Sequence, residues 1–222
     1  MNPDWRPATE VYAALVQASA RPADRLLDLG CGRGGLVEQL GHPLAQVVGV
    51  DPDWQSLVEH RLPLPRVAAF SDGLPLANGR FDLVFSSWLL EHLERPARTF
   101  AELARVLRPG GRFIFITPNA AHPLSYLNRA FGRFARLQGA LVRRFYGRAG
   151  ADAFPTFYRA NTAAVLRHLA ASQGLKLASL EAIADPTYLA FNEALFRLMI
   201  QFEARLGEGR GIHLVGCLQR QM

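Results

Sequence analysis

Cysteine is scarce in this 222-residue chain. Cys31 and Cys217 stand alone, which excludes a disulfide framework and any cysteine-rich metal site; no metal is expected. Two lone thiols fit a reducing, cytoplasmic setting. No run reaches the ~18–20 consecutive apolar residues that a membrane span requires. Ala18-Ser19-Ala20 looks like a signal-peptidase site, but Asp4 and Glu10 lie upstream and the apolar stretch at 11–16 is short. A cleaved leader is therefore not expected. Lysine is nearly missing as well, Lys176 being the only one. The cationic surface is thus an arginine surface, which suits forked recognition of phosphate or carboxylate, although genomic composition produces the same bias.

What is present is an ordinary globular composition, with half the residues hydrophobic and a fifth charged. That fits one domain with an insertion. Lys and Arg number 25 against 19 acids, for a net charge of +6. The excess is local. Residues 122–160 hold seven arginines (129, 133, 136, 143, 144, 148 and 159) against the single acid Asp152, and eight aromatics. The rest of the chain sums to zero charge.

Short apolar runs alternate with amphipathic stretches, the pattern of an α/β sheet. Buried strands are expected at 25–31, 46–51, 66–70, 81–88 and 112–118, because near-continuous apolar runs suit a sheet covered on both faces. Trp54, Leu57, Val58 and Arg61 follow helical spacing. So do Phe100, Leu103, Ala104 and Leu107, after Pro96 in a first turn and before a stop at Arg108-Pro109-Gly110-Gly111. After residue 118 the alternation lapses for about forty residues. It resumes with Asn161-Thr162 capping a helix to about Ser172, then a strand at 175–183. A long helix with Tyr188, Phe191, Leu195, Leu198, Met199, Phe202 and Leu206 on one side follows, and a final strand closes the chain at 212–218.

The strongest chemical signal is Leu26-Leu27-Asp28-Leu29-Gly30-Cys31-Gly32-Arg33-Gly34-Gly35. A strand runs into glycines and then into a helix expected near Leu36. Glycines let a ligand approach the backbone, and a helix N-terminus offers N–H groups to an anion. Glycines 30, 32 and 35 also satisfy the dinucleotide spacing, and Asp51 lies about twenty residues on. Asp28 separates the readings. A carboxylate two residues before the glycines suits a positively charged ligand, such as an aminoacyl group or a sulfonium.

At this point the chain resembles the class I S-adenosylmethionine-dependent methyltransferases, in the branch that reads D-L-G-C-G-x-G at the first strand. Val48-Gly49-Val50-Asp51 looks like the second-strand motif. Leu74-Pro75-Leu76 followed by Phe81-Asp82-Leu83-Val84 is similar to the family's L-P-F…F-D-x-V. Ser87-Trp88-Leu89-Leu90-Glu91-His92-Leu93 and Leu107-Arg108-Pro109-Gly110-Gly111 match the segments after the fourth strand and before the fifth. The resemblance is strong over 25–118 and loose over the last sixty residues. It implies a Rossmann-like, seven-stranded mixed sheet with helices on both faces, the last strand antiparallel. It also implies S-adenosyl-L-methionine as cofactor.

By position, the resemblance places the methionine end at Asp28, Gly30, Cys31 and Gly32, with the backbone at Ser87 helping. Asp51 would accept from both ribose hydroxyls, and Pro52 would lie along the adenine. Where many relatives carry an Asp for the adenine amino group, this chain has Phe70, with Asp72 two places later. Either Asp72 substitutes through a shifted loop, or backbone at Ser71 reads the ring edge beside Phe70; the backbone reading is preferred. No catalytic base is assigned. His92 reads as structural, and His122 and Tyr158 lie where they could face an acceptor.

The basic, aromatic insertion at about 119–160 leaves the carboxyl end of the fifth strand, where ligand sites of this fold lie. It reads as a lid over the acceptor, with Phe131, Phe134, Phe145 and Tyr146 packed on the domain and arginines such as Arg143 and Arg144 facing the ligand. The expected acceptor is an acidic small molecule or a glycan- or lipid-linked one. RNA stays open as an alternative, since arginine and aromatic residues suit phosphates and bases. So do peripheral contact with an anionic membrane and a protein that binds the cofactor without transferring its methyl.

Overall fold

The computed structural model describes residues 5–126, 154–185, 193–206 and 209–222. The residues 129, 131, 133, 134, 136, 143–146 and 148 that characterise the basic insertion fall outside the described residues, as do Tyr188 and Phe191.

Seven strands form one sheet. They are β1 (Leu26–Leu29), β2 (Val47–Asp51), β3 (Arg66–Ala68), β4 (Phe81–Ser87), β5 (Leu107–Pro118), β6 (Leu175–Ile183) and β7 (His213–Arg220). Their spatial order is β3-β2-β1-β4-β5-β7-β6. The first five run parallel. The last strand, β7, enters between β5 and β6 antiparallel to both, so that Pro118 and Ile183 each face His213.

Period-2 alternation in the central strands feeds two cores. Leu27, Leu29, Val84, Phe113 and Phe115 pack on one face with Phe100 and Leu103 of α3 (Pro96–Val106) and Leu166 and Leu169 of α4 (Ala163–Ser172). Leu26, Leu83, Phe85, Ile114 and Ile116 pack on the other with Tyr12 and Val16 of α1 (Ala8–Ser19). Helices therefore cover both faces, as the sequence implies. Thr162 caps α4 by accepting from the Val165 amide at 3.3 Å.

Four elements differ from the sequence expectation. The turn after the glycine loop is a four-residue 3₁₀ turn (Leu36–Gln39), not an α-helix, because Gly41 and Pro43 close it almost at once. The helix at Trp54 spans only Trp54–Val58 (α2) and buries Leu57, while Trp54 and Val58 point outward. Edge strand β3 stops at Ala68, leaving Phe70 outside it. β5 begins at Leu107, five residues early. Phe81 faces Leu107 and Leu83 faces Arg112, so Arg108–Gly111 bulge within the ladder rather than preceding it.

Candidate functional site

Because β1, β2 and β4 are parallel and adjacent, their carboxyl ends bring Gly30, Asp51 and Ser87 to one edge of the sheet. The chain leaves β1 through a tight turn in which the Gly30 and Cys31 amides both donate to the Val50 carbonyl, at 2.7 and 3.1 Å. Gly30 sits at φ +80° and Gly32 at φ +49°, a region that glycine enters without strain. A Cβ at Gly32 would meet nothing within 4 Å, so the backbone here borders open volume.

Asp51 is buried, and backbone amides hold its carboxylate on both sides. The Gly32 amide donates to Oδ2 and the Asp53 amide to Oδ1, each at 2.9 Å. Each oxygen keeps acceptor capacity for a further donor. Asp28 is buried beneath the same turn. Burial, and then the neighbouring Asp51 charge, push its pKa up to about 7. Tyr12 and Cys31 are likewise pushed well above their usual ranges, first by burial and then by the Asp28 charge, with Ser87 opposing this at Tyr12.

All ten sequence-predicted positions line three adjoining cavities. Gly30, Asp51, Pro52, Phe70, Ser71, Asp72 and Ser87 share one of about 450 Å³. Gly32, Asp51, Pro52 and Phe70 share a second of about 610 Å³. Asp28, Gly30, Cys31, Gly32 and Ser87 share a third of about 480 Å³. Phe70 is 70% exposed and Phe154 47%, and both border the first two cavities beside Pro52. Asp72 pairs with Arg95 at 2.7 Å, and the Ser71 hydroxyl lies 3.0 Å from that of Thr99.

The glycine amides need a correction. Those of Gly30 and Gly32 are spent on Val50 and Asp51, and the element that directly follows the loop is a 3₁₀ turn, not an α-helix. This turn therefore gives an anion little, and its neighbours Asp28 and Asp51 oppose one. Its carbonyls, open approach and carboxylates suit a cationic group and a diol instead. Pro52, Phe70 and Phe154 give the first two cavities an apolar lining.

Sequence reasoning missed the contributions of Thr9 and Tyr12, which α1 folds against Asp28 and Ser87, and of Phe154 and Phe157. Only their placement in the fold reveals them. Of the candidate bases, His92 directs Nδ1 to the Pro155 carbonyl at 3.0 Å and meets Phe154 edge-on. His122 is fully buried with Nε2 3.4 Å from Glu203 Oε1. Tyr158 adopts φ +53° and its amide donates to the Glu91 carbonyl. Among the described residues no group of three or more His, Cys, Asp or Glu side chains could hold a metal.

Residues 27–115 match the family described as "Methyltransferase domain". A methyltransferase of Mycobacterium bovis without an assigned substrate is 42% identical over 147 residues, covering 64% of this chain and 57% of that protein. The malonyl-[acyl-carrier protein] O-methyltransferase of Hahella chejuensis is 38% identical over 118 residues, covering 49% and 42%. The chain thus spans about half the length of these curated relatives. The crystal structure of an S-adenosylmethionine-dependent methyltransferase from Mesorhizobium loti superposes with a TM-score of 0.62 at 19% identity, covering 93% of this chain and 96% of that one. Sheet order, antiparallel final strand and matched domain agree: residues 27–115 are a methyltransferase domain, in a chain whose fold is similar to that of class I S-adenosylmethionine-dependent methyltransferases.

Proposed function

We propose that this protein transfers a methyl group from S-adenosyl-L-methionine to a small-molecule acceptor, or to a glycan- or lipid-linked one. The observation that carries the reading is the Asp51 carboxylate, fixed by two backbone amides between the open glycine turn and the Pro52–Phe70 wall. When bound, the cofactor supplies a methyl already activated by a sulfonium.

The protein's task is then to bind, orient and exclude water. Asp51 would accept from the two ribose hydroxyls. Pro52 and Phe70 would flank the adenine, with Ser71 backbone or Asp72 at its edge. Asp28, Gly30 and Gly32, with Cys31 between them, would border the methionine end, and Ser87 would face it from β4. Cys31 acts there through packing, because its buried thiol holds its proton. Phe154, Pro155 and Phe157 line the first cavity together with Phe70, and would shield a ligand there from water.

Cys31 and Cys217 are both free and buried, which supports a reducing compartment such as the cytoplasm. Among the described residues, no helix is long and apolar enough to cross a membrane.

Methyl-labelled S-adenosylmethionine, incubated with the protein and an extract of the source organism, tests the reading directly. Label should enter the small-molecule or glycan and lipid fractions. Label released by nuclease would make RNA the acceptor, and no label in any fraction would make the protein a non-catalytic binder.

A further inference from the structure

A second group of ionisable side chains lies where β5, β6 and β7 converge. His213 opens β7 opposite Pro118, the last residue of β5, and opposite Ile183, the last of β6. Asp185 follows two residues after Ile183 and brings Oδ2 to 3.7 Å from His213 Nδ1. Behind them, His122 lies 3.4 Å from Glu203 of α5 (Glu193–Leu206). His122, His213 and Glu203 are all buried. Burying two imidazoles with Glu203, beside a half-buried Asp185, costs stability that an apolar filling would not. Their clustering in a cleft is a mark of function.

The cluster opens onto a cavity of about 340 Å³ lined by Ala8, Thr9, Trp88, Pro118, Asp185 and His213. Thr9 and Trp88 also border the cavity that holds Asp28, Gly30 and Ser87, so the two volumes share a wall. Trp88 occupies the left-handed region at φ +57°, a conformation that costs about 1–3 kcal/mol in a non-glycine residue. It meets the His213 ring edge-on, with centroids 5.1 Å apart at 72°.

We propose that His213, oriented by Asp185, is the catalytic base that takes the proton from an acceptor hydroxyl, and that the acceptor is a phenol-type small molecule seated against Trp88 and Pro118. This rests on the methyl-transfer reading above. An amine needs no such base once neutral, whereas an un-ionised hydroxyl is a poor nucleophile. In the step, the acceptor O–H bond breaks and its proton moves to the imidazole. The freed oxygen pair forms the bond to the methyl carbon, and the pair of the broken carbon–sulfur bond stays on sulfur. The imidazolium, held against Asp185, then returns its proton to solvent. The groups facing His213 are Asp185 and Glu203, which favour its charged form, and His122, which opposes it. Burial outweighs them and lowers the His213 pKa, favouring the neutral imidazole that can accept a proton.

The test compares wild type, H213Q and D185N, using labelled S-adenosylmethionine with phenol and with 4-nitrophenol as acceptors. Phenol, with a pKa near 10, is un-ionised at pH 8, whereas 4-nitrophenol is largely ionised in solution. H213Q should slow phenol methylation by about 10²–10⁴-fold and 4-nitrophenol methylation less than ~10-fold. Raising the pH should partly restore H213Q on phenol, and D185N should fall between wild type and H213Q. Thermal stabilisation by S-adenosylhomocysteine should be the same in all three, which shows that the variants fold. Equal losses on both phenols would overturn the base assignment. So would a wild type that binds S-adenosylhomocysteine yet labels neither phenol. A wild type that S-adenosylhomocysteine fails to stabilise would instead sink the cofactor reading itself.

Discussion

Asp28 has a folded-state pKa near 7 because burial and the Asp51 charge both penalise its ionised form. A carboxyl in an unfolded chain titrates near 3.9. Between those values the folded protein holds a proton that the unfolded chain releases, so stability is full below about pH 4 and is lost as pH rises to about 7. Three pKa units correspond to ~4 kcal/mol at most. Urea unfolding of the ligand-free protein should therefore show a decline from pH 4 to 7 that D28N flattens. Ligand binding should respond in the opposite sense. A cationic group seated against Asp28 favours the carboxylate, so affinity for S-adenosylhomocysteine, which carries an ammonium, should rise with pH until about 7. D28N should bind it about 10–100-fold more weakly, the worth of a charge-assisted hydrogen bond, with that pH dependence gone. Titration calorimetry at pH 5.5, 6.5 and 7.5 separates the two. A D28N affinity that still climbs with pH would remove Asp28 from the site.

At the scale of elements, the segment 154–161 docks onto the turn after β4 through one anchor. The Phe157 and Tyr158 amides donate to the Glu91 carbonyl at 2.7 and 3.1 Å, and Arg159 donates to the Glu94 carbonyl at 2.6 Å. Below them, Asn161 Nδ2 donates to Thr117 Oγ1 at 2.6 Å, and Thr117 donates to Glu91 Oε2 at 3.0 Å. All three side chains are buried, and burial raises the Glu91 pKa. Removing the amide in N161A should cost about 1–3 kcal/mol. It should also speed hydrogen exchange at the 157 and 158 amides and weaken S-adenosylhomocysteine binding, since Phe154 and Phe157 ride on this segment. Exchange unchanged at those amides would mean that the segment is held without the anchor. None of this was legible in the sequence, where Glu91 and Asn161 are seventy residues apart. The local elements were legible. β6 and the Thr162-capped α4 follow directly from an unbroken pattern between clear stops. α2 was overread because Trp54 and Val58 match helical spacing yet face solvent; periodicity marks a possible stripe, not what covers it. The bulge at Arg108–Gly111 hid the true start of β5, since Pro-Gly-Gly in sequence signals a stop and only cross-strand pairing with Phe81 shows the ladder continuing.

Across the whole molecule, segments distant in sequence meet around one line of cavities: α1 through Thr9 and Tyr12, the β1 and β2 ends, the turn after β4 and the irregular stretch 154–157. A ligand that fills this line bridges them and binds only the folded state, so its affinity appears as global stability. At a hundredfold excess over its dissociation constant, S-adenosylhomocysteine should add about 2.7 kcal/mol, or roughly 5–11 °C in Tm for a chain of this size. NADH should add nothing, although the glycine spacing and Asp51 also fit a dinucleotide pattern. A pyrophosphate needs free amides and the start of a helix. Here the Gly30 and Gly32 amides are already spent, only a 3₁₀ turn follows, and Asp28 and Asp51 would face its charge. Stabilisation by NADH matching that by S-adenosylhomocysteine would show that these carboxylates do not govern the choice. Stabilisation by S-adenosylhomocysteine alone would follow from them, because the same two side chains that would repel a phosphate would, on the proposed reading, hold an ammonium and a ribose diol.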